Sequence, residues 1–153
     1  MTALTALGCA VVAGVFLAFS TFVMKALGRL PPAQGIAAMQ AINVAAIPST
    51  FFLTGLGTML GSVALAGWAV VEWHEAFTPY LLAGSGLYVV GSMVATVAFN
   101  LPLNDALATV DPEGSEAADR WTRYLAEWTF WNHLRAAGAL AASAALSGAL
   151  LVG

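Results

Sequence analysis

The chain has 153 residues, of which 60% are hydrophobic and 8% charged, and its mean hydropathy is +0.84. Soluble domains carry about 25% charged residues, so this composition excludes an ordinary water-soluble domain and predicts an integral membrane protein. The net charge of −3 comes without a basic run, which argues against nucleic acid as a partner. The single cysteine, Cys9, excludes an intrachain disulfide.

Four apolar stretches are each long enough to cross the hydrocarbon core, which takes about 20 helical residues. Lipid offers backbone amides no hydrogen-bond partner, so the stretches must be helices. We therefore predict an all-α, four-helix integral membrane bundle that forms a single transmembrane domain over residues 1–153. The first stretch lacks a positively charged n-region and its apolar run is long, so it is expected to be a retained span and not a secretion signal. The predicted spans cover about 4–27, 48–71, 79–99 and 128–151.

Two of the three connections contain helical patterns. The first has an amphipathic piece over 33–46, which predicts a short interfacial helix. The third places opposite charges four residues apart, as in Glu116–Arg120 and Asp119–Arg123, which is typical of a water-exposed helix. The fourth span is therefore expected to begin as a cytoplasmic extension of the same helix.

The basic residues predict an orientation. Lys25 and Arg29 lie in the first connection, Arg120 and Arg123 in the third, and the second connection and both tails have none. The positive-inside rule then places the first and third connections in the cytoplasm and both termini outside, in a bacterial-type cytoplasmic membrane.

In this orientation, polar side chains gather at the cytoplasmic end of the bundle. The sharpest cluster is Asn132, His133 and Arg135, which opens the fourth span. Ionisable residues within a membrane span are a functional-site hypothesis when they face the protein interior. The cytoplasmic ends of the other three helices supply further candidates for substrate binding. Trp128, four residues before Asn132, is another. These further candidates are Ser20, Asn43, Asn100, Asn104 and Trp128.

A helical projection of the fourth span places Asn132 and His133 on a small, polar face that we expect to point inward. An inward neutral imidazole could accept a proton, donate a hydrogen bond or bind a metal. The alternative for His133 is a hydrogen bond to a nearby carbonyl that fixes helix packing. Arg135 could turn inward and stabilise an anion, or it could extend to the phosphate headgroups. The asparagines could cap and bridge helices, or they could line a pocket.

No set of metal ligands is predicted. Glu72 and Glu75 flank His74 on a short outer turn, which makes a poor cage. At the cytoplasmic end, a metal at His133 would need carboxylates such as Asp105 or Glu127, so a metal is not excluded. Glycines at small-residue spacing, such as Gly57 and Gly61, favour close helix packing and not phosphate binding.

The chain resembles a family of small four-span membrane proteins that was long labelled a domain of unknown function. The resemblance lies in four motifs, which occur in the same order and at the same separations in that family. The family includes the anthrone oxygenases of polyketide pathways. The resemblance covers essentially the whole chain, and the last motif is its most specific part. The motifs are AFSTFVM at 18–24, MQAIN at 39–43, NLPLN at 100–104 and WTFWNHLR at 128–135.

The resemblance implies an oxygenase that converts an activated methylene of a hydrophobic polycyclic phenol into a ketone with O2, without flavin or haem. In this hypothesis His133 is the base, and Arg135 and Asn132 stabilise the phenolate-like oxygen. The alternative is a non-catalytic membrane module that binds a lipid or hydrophobic small molecule, or a subunit of a membrane complex. In either case the bundle could form a homo-oligomer. A transporter is the weakest class, because no broken helix or inverted repeat is visible.

Overall fold

Five helices and no strands make up the chain in a computed structural model that describes residues 1–153. The four long helices are apolar enough to cross a membrane, and α2 lies in the first connection, so the all-α membrane bundle is confirmed. The helices are α1 (Thr2–Leu27), α2 (Pro32–Ala46), α3 (Thr50–Val71), α4 (Thr78–Ala108) and α5 (Ala117–Val152).

The four long helices form a ring. Helix α5 packs against α1 and α4, and α3 packs against the same two helices from the opposite side. Gly153, at the end of α5, lies against Phe77 in the turn between α3 and α4. Both termini therefore share one end of the bundle with that turn, and the first and third connections lie at the other end.

Helix α5 is longer than the bilayer requires. Its 36 residues span about 54 Å at ~1.5 Å per residue, against ~30 Å of hydrocarbon. Its first turns therefore project beyond the membrane, as the charge pattern predicted. Helix α2 packs against this projecting part, and Gln40 Nε2 donates to the carbonyls of Leu107 and Val110 at 2.9 and 3.0 Å.

Helix α4 also extends further than predicted. The third span was expected to end near residue 99, but the helix continues to Ala108. Pro102 does not end it, because the proline lies at the start of the last α-helical segment, where a missing N–H is tolerated.

Small residues set the closest helix contacts, as predicted for the glycines. A Cβ added at Gly138 of α5 would lie 2.9 Å from the carbonyl carbon of Gly91 in α4. A Cβ at Gly61 of α3 would meet Thr5 Oγ1 of α1 at 2.6 Å. The prediction is wrong for Gly57, which has open space where a Cβ would lie.

Buried side chains form two apolar cores, one within the membrane spans and one at the end of the first and third connections. The first includes Val12, Leu81 and Leu146. The second includes Ile36 and Trp121. Arg135 lies between the two cores, with its guanidinium near Phe16 of the first and Trp128 of the second. Large apolar side chains elsewhere point outward, as expected for lipid contact; examples are Leu4, Leu60, Val90, Val97, Leu140 and Leu151.

Candidate functional site: a buried arginine network

Arg135 points into the bundle and is only 4% exposed. Its Nη2 donates to Asn132 Oδ1 at 2.7 Å, and its Nη1 donates to Thr96 Oγ1 of α4 at 3.4 Å. No carboxylate pairs with it, since the single ion pair of the structure joins Arg120 to Glu116 on the exposed start of α5. Of the two predictions for Arg135, the inward guanidinium is the one the structure adopts.

Two aromatic rings enclose the guanidinium. Arg135 Cζ lies 4.3 Å from the ring centroid of Phe16 in α1 and 5.1 Å from that of Trp128 in α5. A cation over an aromatic face is stabilised by about 2 kcal/mol or more when water is excluded. The rings partly offset the loss of hydration, but they leave the positive charge without a counter-ion.

Asn132 fixes the position of the guanidinium. It is fully buried, and its Nδ2 donates to the Phe16 carbonyl at 2.7 Å and to Ser20 Oγ at 2.8 Å. Its Oδ1 thereby faces Arg135. The amide thus joins α1 to α5, which is the helix-bridging alternative considered for the asparagines, and it also orients Arg135.

The partners on α1 and α4 lie in π-helical segments. Ser20 lies in the segment Phe19–Val23, and Asn100 ends the segment Thr96–Asn100. A π-helical turn shifts the backbone hydrogen bonds from i−4 to i−5, which redirects side chains, and such turns are frequent at functional sites. Both helices therefore depart from regular α-helical geometry at the level of Arg135.

The two asparagines of the NLPLN motif bind different parts of Trp128. Asn100 is fully buried, and its Nδ2 donates to the Trp128 carbonyl at 3.2 Å. Asn104 Oδ1 accepts from Trp128 Nε1 and from the Tyr124 hydroxyl, both at 2.8 Å. Asn43 lies on α2, is half-buried and makes no side-chain hydrogen bond to the network.

Two buried polar atoms of the network have no partner. One is the donor Nε of Arg135, and the other is the acceptor Oδ1 of Asn100. The network is therefore not a fully satisfied set of helix-bridging hydrogen bonds.

The predicted inward orientation of His133 is wrong. Its side chain is exposed, and it shares a stripe of α5 with the exposed residues Phe130, Ala137 and Leu140. The buried face of α5 runs instead through Trp128, Asn132 and Arg135, and then along the first core. The helical projection in the sequence analysis therefore placed the centre of the inward face about one residue, or ~100°, away from its position in the structure. His133 therefore faces away from the bundle interior and from the buried Arg135.

Three residues of the network were missed in the sequence. Each lies one turn before a residue that was identified: Phe16 before Ser20, Thr96 before Asn100, and Tyr124 before Trp128. Residues four apart share a helix face. An i−4 search from each polar candidate would have found them.

Two pockets lie away from this network. One, of about 270 Å³, is lined by residues of the third connection, such as Asp111, and of the start of α5, such as Arg120. The other, of about 300 Å³, lies between α1 and α3 and is lined by small residues such as Gly8 and Gly57. No three His, Cys, Asp or Glu side chains come together as a set of metal ligands. Elemental analysis of the purified protein tests the expectation about metals directly.

Four membrane spans with a buried arginine at one end of their ring define a small integral membrane protein with a polar intramembrane site. Residues 49–145, more than half of the chain, match the family model described as anthrone oxygenase. The chain belongs to the anthrone oxygenase family, which confirms the resemblance seen in its motifs. The match includes Asn100, Asn132 and Arg135 but not α1. No curated protein and no solved structure gives a significant match.

Proposed function

We propose that the chain is an anthrone-oxygenase-like membrane enzyme that oxidises an activated methylene of a hydrophobic polycyclic phenol with O2. The observation that supports this most directly is the buried Arg135 guanidinium, which has no carboxylate partner.

A buried cation without a counter-ion is costly. Moving a charged group out of water costs roughly several kcal/mol when its new contacts do not fully replace its hydration, even after the surroundings relax. Ionisable residues kept inside a membrane protein therefore mark functional sites by default. Thr96 and Asn132 supply neutral oxygens to Arg135. The guanidinium thus keeps its positive charge available to an anion that forms during a reaction.

An anthrone forms such an anion. Loss of a methylene proton to solvent gives a carbanion whose charge spreads to the ring oxygen. Positioned donors in a site that excludes water stabilise developing oxyanions strongly. O2 then adds to the reactive carbon, the resulting hydroperoxide loses water, and a ketone remains. The overall change, CH2 + O2 → C=O + H2O, is balanced by the substrate and oxygen.

In this proposal Arg135 stabilises the anion, and Asn132 holds Arg135 in place. Ser20, Asn43, Asn100, Asn104 and Trp128 contribute the polar and aromatic surroundings of the substrate. His133 has no part at this site, because its side chain is exposed on the outside of the bundle.

The test is oxidation of a 1,8-dihydroxyanthrone by the purified protein in lipid nanodiscs. Anthraquinone absorbance and O2 uptake should rise together, with one O2 consumed per quinone formed. Empty nanodiscs measure the spontaneous reaction with air. Arg135→Gln should return the rate to that background. Arg120→Gln, which removes an exposed arginine from the same helix, should keep the parent rate.

A non-catalytic membrane module is the second candidate. The observation that favours it is that the Asn132 and Asn104 side chains already form hydrogen bonds with residues of neighbouring helices. Under this function the parent protein would oxidise no faster than empty nanodiscs, and Arg135→Gln would change stability alone. The same assay therefore separates the two functions.

A further inference from the structure

A substrate of the Arg135 network needs an entrance, because the guanidinium is enclosed. Arg135 is 4% exposed, and it lines neither of the two pockets described above. A polycyclic phenol can therefore bind at the guanidinium only when part of the surrounding wall moves. The contacts that hold each side of the network indicate which part that is.

Hydrogen bonds hold three sides of the network closed. Asn132 joins α5 to α1, and Asn100 joins α5 to α4. Asn104 accepts hydrogen bonds from two aromatic side chains of α5, which close the end toward the first and third connections. Opening any of these sides would leave buried polar groups without partners, which is costly.

Aromatic rings alone close the fourth side, where α3 begins. Helix α3 lies opposite α5 in the ring of helices, and its first turn carries Phe51. The Phe51 ring packs edge-on against Phe16 with 5.8 Å between the ring centroids, and Phe16 lies over the Arg135 guanidinium. Phe51 is half-buried and Phe16 is buried. Two rings therefore separate the guanidinium from the outside of the bundle, and both can move without breaking a hydrogen bond.

The start of α3 is loosely packed. Residues 50–57 include no buried side chain, and the buried positions of the helix begin at Thr58. One side-chain hydrogen bond from another helix reaches this segment, from the Tyr88 hydroxyl to the Gly55 carbonyl at 3.2 Å. Pro48, just before the helix, has no N–H to donate. Segments with few buried contacts open at a low cost in free energy.

We propose that Phe51 and Phe16 form a gate through which the substrate enters from the lipid, between α1 and α4. This inference rests on the proposed function and adds the entrance to the same site. When the start of α3 moves outward, Phe51 leaves Phe16, and the Phe16 ring can turn away from the guanidinium. A hydrophobic phenol is concentrated in lipid, so an entrance on this side meets it directly. Closure of the rings then excludes water and strengthens the attraction between Arg135 and the anion.

A thiol placed inside the network measures this opening without turnover. In the Cys9→Ser background, Ser20→Cys puts a side chain of similar size at a buried position. Its labelling by N-ethylmaleimide, a small reagent that enters lipid, should be slow in nanodiscs. Adding Phe51→Ala should raise the labelling rate roughly tenfold, the change expected from the loss of an aromatic contact. Phe52→Ala, which removes an exposed ring from the next position of α3, should leave the rate unchanged.

Two further measurements separate a local gate from a loosened bundle. The native Cys9 is fully buried in the first core, about two turns from Phe16 on α1. In the chain that keeps Cys9, Phe51→Ala should leave this thiol unlabelled. Thr96→Cys, on the α4 side of Arg135, is a second reporter and carries the test if Ser20→Cys does not fold.

An unchanged labelling rate after Phe51→Ala would overturn the gate, and so would an equal rise in the labelling of Cys9. Neither result depends on oxidation. A protein that oxidises anthrone while its reporter thiol ignores Phe51→Ala retains the proposed function and loses this entrance. A protein whose reporter responds but which oxidises no anthrone loses the proposed function and retains a gate to the buried arginine.

Discussion

Arg135 and Asn132 lie one turn apart on α5, and Arg135 Nη2 donates to Asn132 Oδ1 at 2.7 Å. The Nδ2 group of the same Asn132 amide donates to the Phe16 carbonyl and to Ser20 Oγ of α1. The guanidinium therefore cannot move without disturbing the contact between the first and last spans. The position of the charge and the packing of the bundle depend on one side chain.

Arg135→Lys should lose most of the oxidation rate while keeping the positive charge. An ammonium cannot reproduce the planar fork that contacts Asn132 and Thr96 together. Removing one positioned donor to an oxyanion typically lowers the rate by about 10²- to 10³-fold. The measurement is the initial rate of quinone formation in nanodiscs, with Arg120→Lys as the control. A rate within threefold of the parent, roughly 0.7 kcal/mol, would contradict the role given to the guanidinium.

Asn132→Leu should destabilise the fold more than any surface change on α5. It leaves Arg135, Ser20 and the Phe16 carbonyl without their shared partner in a buried place. We expect a loss of about 3–5 kcal/mol, as for removal of one partner from a buried charged contact. Unfolding in mixed micelles by added SDS measures it. Thr122→Ala, on the exposed side of the same helix, should change the free energy of unfolding by less than about 0.5 kcal/mol.

His133→Ala should leave the oxidation rate close to that of the parent. The imidazole is exposed on the outside of the bundle and is not part of the Arg135 network, so its removal should not affect the stabilised anion. The quinone assay applies again, with Phe130→Ala, an exposed neighbour on the same stripe of α5, as the control. A rate as low as that of Arg135→Gln would show that the substrate reacts on the outer face of α5.

Gly138→Ala should weaken the contact between α4 and α5. Its Cβ would approach the Gly91 carbonyl carbon to 2.9 Å, and backbone atoms cannot move aside as a side chain can. Overpacking of this kind typically costs about 1–3 kcal/mol. Gly86→Ala, which meets nothing within 4 Å, should be neutral or should stabilise α4 by up to about 1 kcal/mol. Equal unfolding free energies for the two variants would contradict the close contact.

The proposed orientation predicts which sites a membrane-impermeant maleimide can reach. Cys9 is buried and is the only cysteine, so Cys9→Ser gives a background without thiols. In that background Gly153→Cys should be labelled in intact spheroplasts, whereas Ser115→Cys, in the third connection, should be labelled only after lysis. The reverse pattern would invert the orientation and place the network near the outer surface.

The sequence predicted the composition of the network better than its geometry. Arg135, Asn132, Ser20 and Asn100 were identified because polar side chains are rare in apolar helices and are costly there. The contacts that matter are mostly between helices far apart in the chain, such as Asn132 with Phe16. Such pairings depend on how the helices pack, and no local pattern contains that information.

The sequence alone determined that this protein is a four-span helical bundle with its polar groups at one end. Hydropathy fixes the solvent as lipid, and backbone amides in lipid must bond within helices. Only the tertiary structure decided which side of α5 faces inward. Asn132 and His133 are neighbours, so a rotation of about 100° exchanges their places. The close contact of Gly138 with Gly91 and the bridge from Asn132 to α1 fix that rotation, so Arg135 is buried and His133 is exposed on the outside of the bundle.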